Sequence, residues 1–237
     1  MSAQAFFNYG CPSSWTGSAI PLHCLWWPAE VVTIVTQVLV DPRDPALLNP
    51  TKFIGQHYSE EEAHKLSETQ GWTVKSYGDG KWRRVVGSPQ PLGILNAPTI
   101  KQILDSGKIV IAAGGGGIPV YREPDGWLEG VDAVIDKDRA AAILARDIRA
   151  NELFILTDAE FVALSFGKPD QQDLKKVTLP ELEKYFAQGH FPAGSMGPKV
   201  EAAIKFLRAG GQRVIICALS KFMESLDGKS GTTIVPD

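Results

Sequence analysis

Two patterns in this 237-residue sequence combine residue types that can handle a phosphate group. Four glycines, Gly114, Gly115, Gly116 and Gly117, directly follow the β-branched run KIVIAA. Backbone N–H groups in such a turn can approach an anion closely, because no Cβ stands in the way. The triplet Asp136-Lys137-Asp138 leads into an alanine-rich predicted helix, whose N-terminus carries the positive end of the helix dipole. We interpret the two patterns as a phosphate site at the carboxyl edge of a parallel sheet, although a tight turn explains the glycines about equally well.

Lys199 is a third candidate, because it follows the small-residue loop AGSMGP at the predicted start of a helix. Lysine is a compact point charge that suits a transferring phosphoryl group. A cation is poorly placed at a helix N-terminus unless an anion binds there. The alternative for Lys199 is a solvated side chain. For Lys137 it is a surface salt-bridge cluster, and for Asp138 it is a simple helix cap.

Thr157 and Asp158 end the predicted strand ELFILTD. Open α/β sheets bind ligands outside the carboxyl ends of their strands, so both side chains are candidates for ligand contact. A helix N-cap would also explain Asp158.

Several classes of site are not supported by the sequence. The four histidines and the cysteines Cys11, Cys24 and Cys217 have no metal-ligand or disulfide spacing. We therefore expect no protein metal site and a reducing, cytoplasmic location. A net charge of -3 does not suggest binding to nucleic acid, and no apolar run is long enough to span a bilayer. The sequence has neither a signal peptide pattern, nor a Walker A loop, nor a G-x-S-x-G elbow.

Strands alternate with helices along the chain, which predicts an α/β fold with helices on both faces of a mostly parallel sheet. Predicted strands are 31–40, 108–113, 152–158, 213–219 and a final edge strand at 231–237. Predicted helices are 59–69, 97–106, 138–150, 178–188, 200–211 and 221–228. Capping boxes mark two of these helices, at Ser59 with Glu62 and at Thr178 with Glu181. Hairpins are predicted to turn at 78–80 and 124–126.

The chain divides into three parts by composition. Residues 1–30 mix cysteine, tryptophan and proline without periodicity, so they are either an apolar covering segment or the product of an altered reading frame. Residues 31–237 form the main domain, and residues 44–91 are predicted to be a small lobe inserted into it, because both of its ends are turn-forming.

From about Val31 to its end, the sequence resembles carbamate kinases, which belong to the amino-acid kinase superfamily. The matching pieces follow the family's order, and the lobe opened by NPTK is typical of carbamate kinases. They are VTQVLVDPRDPALLNPTKFIG, WRRVVGSPQP, IVIAAGGGGIPV, VDAVIDKDRAAAILA, ILTD, GHFPAGSMGPKVEAAI and GTTIV.

The resemblance implies a three-layer α/β/α sandwich and reversible phosphoryl transfer between ATP and carbamate, giving ADP and carbamoyl phosphate. It also implies Mg²⁺ carried on the nucleotide, a cytoplasmic homodimer and a place in arginine metabolism. By position, Lys52 would reach the transferred phosphate from the lobe, Lys137 and Lys199 would neutralise its charge, and Asp138 would orient the lysines. The implied nucleotide contacts are Gly114, Gly115, Gly116, Thr157, Asp158, Ser195 and Met196.

The sequence departs from the family pattern at its amino-terminal end. Carbamate kinases begin with glycine-rich segments of the types ALGGNAL and HGNGPQVG, and neither string occurs here. Those segments supply backbone donors around carbamate and the transferred phosphate. We therefore expect an amino-terminally incomplete carbamate kinase fold. Two hypotheses follow, an active kinase and a non-catalytic nucleotide-binding remnant or pseudoenzyme.

Overall fold

The computed structural model describes residues 5–6, 30–192 and 195–237. The prediction for residues 1–30, including Cys11 and Cys24, therefore lies almost wholly outside the described residues. The described strands are β1 (Ala5–Phe6), β2 (Val31–Thr33), β3 (Gln37–Leu39), β4 (Lys52–Tyr58), β5 (Val74–Gly78), β6 (Lys81–Val86), β7 (Gly93–Ile94), β8 (Ile109–Ile111), β9 (Ile118–Arg122), β10 (Leu128–Gly130), β11 (Glu152–Thr157), β12 (Val162–Leu164), β13 (Gln172–Leu174), β14 (Lys176–Thr178), β15 (Arg213–Ala218) and β16 (Thr232–Val235). The described helices are α1 (Pro45–Leu48), α2 (Glu60–Gln70), α3 (Ala97–Asp105), α4 (Lys137–Asp147), α5 (Leu179–Ala187), α6 (Met196–Arg208) and α7 (Phe222–Leu226).

The predicted α/β class is confirmed. Strands connected through helices pair in parallel, as in β2 with β8, β3 with β9, β11 with β15 and β14 with β16. Antiparallel pairing adds the edge strands β1, β7 and β10. It also forms the hairpins and joins β15 to β16. The pairs named here form two four-stranded sheets, in the orders β10-β9-β3-β7 and β11-β15-β16-β14, and a three-stranded sheet in the order β1-β8-β2.

Two strand predictions were wrong in detail. The predicted edge strand at the end of the chain is β16, and it lies inside its sheet between β15 and β14. The predicted continuous strand over residues 31–40 is two strands, β2 and β3, which belong to different sheets. The break falls at Thr36, whose hydroxyl accepts a hydrogen bond from the Ala113 N–H at 2.8 Å while its carbonyl accepts one from the Ile118 N–H at 2.8 Å.

Helix α4 lies between two hydrophobic cores, and its sequence reflects that position. Ala141, Ala142 and Ala145 belong to the core around β11, β15 and α6, whereas its larger residues Ile143 and Leu144 belong to the core around β3, β8 and α3. Small alanine side chains allow the backbones of α4 and α6 to pack closely. The site-bearing starts of the two helices are thereby fixed relative to each other.

The lobe is built on a separate antiparallel sheet of order β4-β6-β5, with α2 packed against it. Both sequence signals for α2 are present, since Ser59 and Glu62 form the predicted capping box and Gly71 ends the helix with a φ of 67°. At the base of the lobe, Asp44 Oδ2 accepts a hydrogen bond from the Gln90 N–H at 2.7 Å, which joins the two connecting segments. The exact division of the chain at 44–91 stays a prediction.

Candidate functional site

A cavity of about 540 Å³ lies where strand β11 ends and helices α4 and α6 begin. Its lining contains a charged group and an apolar group of side chains. The charged group is Lys52, Asp136, Lys137, Asp138, Asp158 and Lys199. The apolar group includes Leu156, Phe161, Ala163, Phe166, Phe191 and Met196.

Lys199 and Asp138 form an ion pair across the two helices, with Lys199 Nζ 2.8 Å from Asp138 Oδ2. Only 12% of the lysine side chain and 6% of the aspartate side chain are exposed, so the pair is almost dehydrated. A second bridge, from Arg139 to Glu201 at 2.8 Å, ties the same helices together one residue farther along α4. The position of Lys199 is therefore fixed by helix packing as well as by charge.

Asp136, rather than Asp138, caps helix α4, which corrects the alternative considered for Asp138. Its Oδ1 accepts hydrogen bonds from the N–H groups of Asp138 at 3.0 Å and Arg139 at 3.3 Å. Its Oδ2 lies 2.5 Å from Nζ of Lys52, which comes from β4 in the lobe. Burial alone would raise the pKa of the Asp136 carboxyl, but the bond and charge of Lys52 and the two N–H groups outweigh burial, and this pKa lies below its ordinary value.

Thr157 and Asp158 lie at the carboxyl end of β11, as the sequence predicts for a ligand-binding edge. The Thr157 hydroxyl donates a hydrogen bond to Asp158 Oδ1 at 3.0 Å. This bond, the neighbouring backbone N–H groups and the charge of Lys199 lower the pKa of Asp158. Asp158 is exposed to solvent, so its carboxylate is a hydrogen-bond acceptor accessible from the cavity.

The predicted residues Ser195 and Met196 line the cavity at the start of α6. The helix begins at Met196, four residues earlier than predicted, so Lys199 lies within its first turn. Gly197 permits this entry, because a Cβ there would lie 2.9 Å from the carbonyl oxygen of Pro192. The Gly197 N–H also donates a hydrogen bond to this carbonyl oxygen, at 2.8 Å.

The glycine run has a packing role in this structure. Gly114, Gly115 and Gly116 form a short 3-10 turn after β8 and are not among the residues that line the cavity. Gly116 has a φ of 109°, and a Cβ on it would lie 2.2 Å from the carbonyl oxygen of Ile135, the residue before Asp136. The run thus supports the segment that leads into α4, while its assignment to nucleotide contact stays a prediction.

Sequence reasoning missed two components of the site. Asp136 was considered only as part of its triplet, although an aspartate just before a predicted helix is the usual N-cap signal. The aromatic wall of Phe161, Phe166 and Phe191 was not anticipated. Phe161 and Phe166 flank β12, whose three residues leave no clear periodicity, and Phe191 lies in the irregular segment between α5 and α6.

The structure contains no sign of a protein-held metal site or a membrane span in its described residues. No three or more His, Cys, Asp or Glu side chains there are grouped as a metal ion requires. Within the same residues, no helix combines the length and apolar character needed to cross a bilayer. Cys217 is buried, and burial raises the pKa of its thiol, which favours the unreactive protonated form.

Comparison with known proteins identifies relatives of this chain. The profile of the Amino acid kinase family matches residues 48–218. The carbamate kinase of Pyrococcus horikoshii is 52% identical over 207 residues, which make up 87% of this chain and 66% of the relative. The carbamate kinase-like protein YqeA of Escherichia coli is 50% identical over 205 residues, which cover 86% of this chain and 66% of that protein.

The fold comparison agrees with the sequence comparison. A solved structure described as carbamate kinase from Giardia lamblia bound to AMP-PNP superimposes with a TM-score of 0.80 at 44% identity, and the match covers 91% of this chain and 68% of that one. The chain spans about 66% of the length of the curated relatives cited above. The resemblance predicted from the sequence motifs is confirmed. The chain therefore belongs to the amino acid kinase family, and within that family it is related to the carbamate kinases.

Proposed function

We propose that this chain is a carbamate kinase-type phosphotransferase, which transfers a phosphoryl group reversibly between ATP and carbamate. One observation supports this most strongly. Three lysines from three separate segments, Lys52, Lys137 and Lys199, line one cavity together with the carboxylates of Asp136 and Asp138. Phosphoryl transfer requires little covalent chemistry from a protein and depends mainly on positioning and on positive charge around the transferred group.

In this proposal, Lys137 and Lys199 neutralise charge on the transferred phosphoryl group, and Lys52 reaches it from the lobe. Asp138 orients Lys199, consistent with their separation of 2.8 Å. A lysine held by a carboxylate before the substrate arrives loses less side-chain freedom on binding, which is the basis of preorganised electrostatic stabilisation.

The nucleotide would occupy the apolar part of the cavity. Aromatic side chains such as Phe161 and Phe166 suit the flat face of an adenine ring, and Thr157, Asp158 and Ser195 can bond its polar groups or the ribose. The Giardia lamblia relative was solved with AMP-PNP, an observation on that protein that supports nucleotide binding here.

Magnesium would accompany the nucleotide on its phosphate oxygens, its usual ligands in kinases. Asp136 and Asp138 would support the phosphate site indirectly, because each carboxylate already pairs with one of its lysines. From the family resemblance we extend the proposal to a cytoplasmic homodimer that handles carbamate or carbamoyl phosphate in arginine metabolism.

The second candidate is a chain that binds nucleotide without transferring phosphate. A specific observation favours it, because the sequence lacks the glycine-rich strings that supply backbone donors to carbamate and phosphate in carbamate kinases. Complete loss of such positioning can raise a barrier by roughly 7 to 11 kcal/mol. This second candidate predicts nucleotide binding with turnover far below the usual kinase range of about 1 to 100 per second, whereas the first predicts turnover within that range.

The test combines calorimetric titration of the purified chain with ATP and ADP and a coupled assay for ATP formation from carbamoyl phosphate. Lys199→Ala tests the site, and Lys229→Ala is a matched control, since Lys229 pairs with Asp227 on an exposed surface. Absence of nucleotide binding in the parent chain would contradict both candidates. Turnover within the usual kinase range would exclude the non-catalytic candidate and show that the missing strings are not required.

A further inference from the structure

We infer that Asp136 is a positioning residue, whose carboxylate holds the lobe lysine Lys52 at the cavity while it also caps helix α4. The inference rests on the proposed function, because it concerns how one of the three lysines is presented to a phosphoryl group. It adds a residue to the site, since the family resemblance gave the orienting role to Asp138.

The two oxygens of Asp136 have different partners. Oδ1 accepts the N–H groups of Asp138 and Arg139, at 3.0 Å and 3.3 Å, so the backbone of the first turn of α4 fixes the orientation of the carboxylate. Oδ2 is left to point at the lobe, and Lys52 Nζ lies 2.5 Å from it. A carboxylate oriented in this way presents one oxygen at a defined position, which gives a directional contact to the lysine.

Lys52 needs such an anchor more than Lys199 does. Neither of the two hydrophobic cores in the described part of the chain includes a residue between Val40 and Ile94, so the lobe shares no core with the main sheets. The Lys52 side chain is 35% exposed, compared with 12% for Lys199. A long, partly exposed lysine side chain samples many rotamers unless a partner selects one.

The two aspartates of the triplet Asp136-Lys137-Asp138 therefore hold two different lysines at the start of α4. Asp136 holds a lysine from β4, and Asp138, two residues later, holds a lysine from α6 at 2.8 Å. Both carboxylates line the same cavity as Lys137. Because the pKa of Asp136 lies below its ordinary value, its carboxylate is ionised at neutral pH and holds Lys52 before any phosphate arrives.

The first experiment measures the accessibility of Lys52 in the nucleotide-free chain. Lysines are acylated with a limiting N-hydroxysuccinimide ester, and the rate at each lysine is followed by peptide mass spectrometry. We expect Lys52 in Asp136→Asn to react about tenfold faster than in the parent, because a charge-assisted hydrogen bond is lost. Asparagine caps helices as well as aspartate does, so α4 is preserved in this variant.

The matched control is Asp105→Asn, which breaks another lysine–aspartate contact of 2.5 Å, with Lys101 on α3 away from the cavity. It should accelerate labelling of Lys101 and leave Lys52 unchanged. An unchanged labelling rate at Lys52 in Asp136→Asn overturns the inference. So does an equal acceleration of Lys52 in Asp105→Asn, because that would indicate general loosening of the chain.

The second experiment compares calorimetric dissociation constants for ATP and ADP. Lys52→Ala should weaken ATP relative to ADP by about tenfold, since one charge-assisted contact to the terminal phosphate is lost. Asp136→Asn should shift the ratio in the same direction, and the double variant should match Lys52→Ala alone. If the changes of the ATP/ADP ratio in the two single variants add in the double variant, Asp136 does not act through Lys52 and the inference is overturned. If the parent binds neither nucleotide, the proposed function fails, while the labelling result still decides whether Asp136 holds Lys52.

Discussion

The core and the lobe hold their lysines in different ways. Lys199 projects from α6, whose residues Val200, Ala202 and Ala203 are fully buried against α4 and the sheet of β11 and β15. Lys52 projects from a small sheet that contributes to neither hydrophobic core of the described residues, and polar contacts tie it to the main body. Lys199 is placed by helix packing together with a buried ion pair, whereas Lys52 is placed by hydrogen bonds and charge.

This difference indicates which changes each half of the site should tolerate. Packing contacts are numerous and resist any change of volume, whereas a single ion pair can exchange its partner for an incoming anion. The core is therefore the rigid side of the cavity, and the lobe is the side whose lysine can respond to a substrate. Four changes test this contrast, in order of decreasing expected effect.

Removing the lobe should abolish phosphotransfer, while nucleotide binding should persist with ATP weakened relative to ADP by about tenfold, as for Lys52→Ala. Replacing residues 45–89 with a short glycine linker keeps the contact of Asp44 with Gln90, whose 2.7 Å separation shows that the ends are adjacent. The product should be soluble, because both hydrophobic cores are retained. Calorimetry with ATP and a coupled transfer assay measure the outcome. Loss of both folding and binding would show that the lobe is part of the core.

Breaking the buried pair in the core should affect both rate and stability. Lys199→Met leaves the Asp138 carboxylate buried without its cation, which should lower the free energy of unfolding by about 3 kcal/mol. Phosphotransfer should fall by roughly 10² to 10³, since a stabiliser of developing charge is removed. Urea unfolding and the coupled assay measure the two effects.

The double variant Lys199→Met with Asp138→Asn separates these two effects. It should recover most of the lost stability, because no unpaired charge stays buried, but none of the rate. A single Lys199→Met variant as stable as the parent would contradict the view that this lysine is placed by a dehydrated pair.

Alanine substitutions at Gly115 and Gly116 test how closely the glycine run packs against the segment that leads into α4. Gly116→Ala should cost about 3 kcal/mol, because it combines a φ of 109° with a Cβ only 2.2 Å from the Ile135 carbonyl oxygen. Gly115→Ala should cost only about 1 kcal/mol, since its φ is 69° but no atom lies within 4 Å of the added Cβ. Thermal or urea unfolding measures both, and equal costs would argue against close packing at Gly116.

Acid should weaken the contact between Asp136 and the lobe, and this is the smallest effect expected. The pKa of Asp136 in the folded chain lies below its ordinary value of 3.8. Its ionised form therefore contributes stability at pH values above 3.8, and this contribution is lost as the pH falls through the lowered pKa. Urea unfolding of the parent and Asp136→Asn between neutral pH and about pH 2 should show a difference that shrinks in acid. A difference that grows in acid would have the wrong sign.

Features with local signals were predictable from the sequence. The capping boxes at Ser59 and Thr178 correctly marked the starts of α2 and α5, because cap and helix are neighbours in the chain. The alternation of strands and helices gave the α/β class for the same reason. The predicted charged residues Lys52, Lys137, Asp138 and Lys199 all line the cavity.

Features that depend on distant contacts were not predictable. The β-branched run over 31–40 gives no local sign that Thr36 will bond to the segment near Ala113 and split the strand. Asp138 was considered as one possible N-cap of α4, because both Asp136 and Asp138 satisfy the local rule. In the structure Asp136 accepts the N–H groups of the first turn, and Asp138 pairs instead with Lys199 from the distant helix α6. The aromatic wall combines Phe161 and Phe166, which flank the very short strand β12, with Phe191, which lies 25 residues beyond Phe166 and before α6.

The interior position of β16 also has a consequence for how the chain is made. Residues 232–235 pair with Val214, Ile215 and Ile216 on one side and with 176–178 on the other, so they close a gap between strands synthesised earlier. Until the ribosome has released them, β14 and β15 both present unpaired edges, which are prone to wrong pairing. The sheet of order β11-β15-β16-β14 is therefore completed only after residues 232–235 have emerged, and a nascent chain that stalls before residue 232 should depend on chaperones to keep those edges apart.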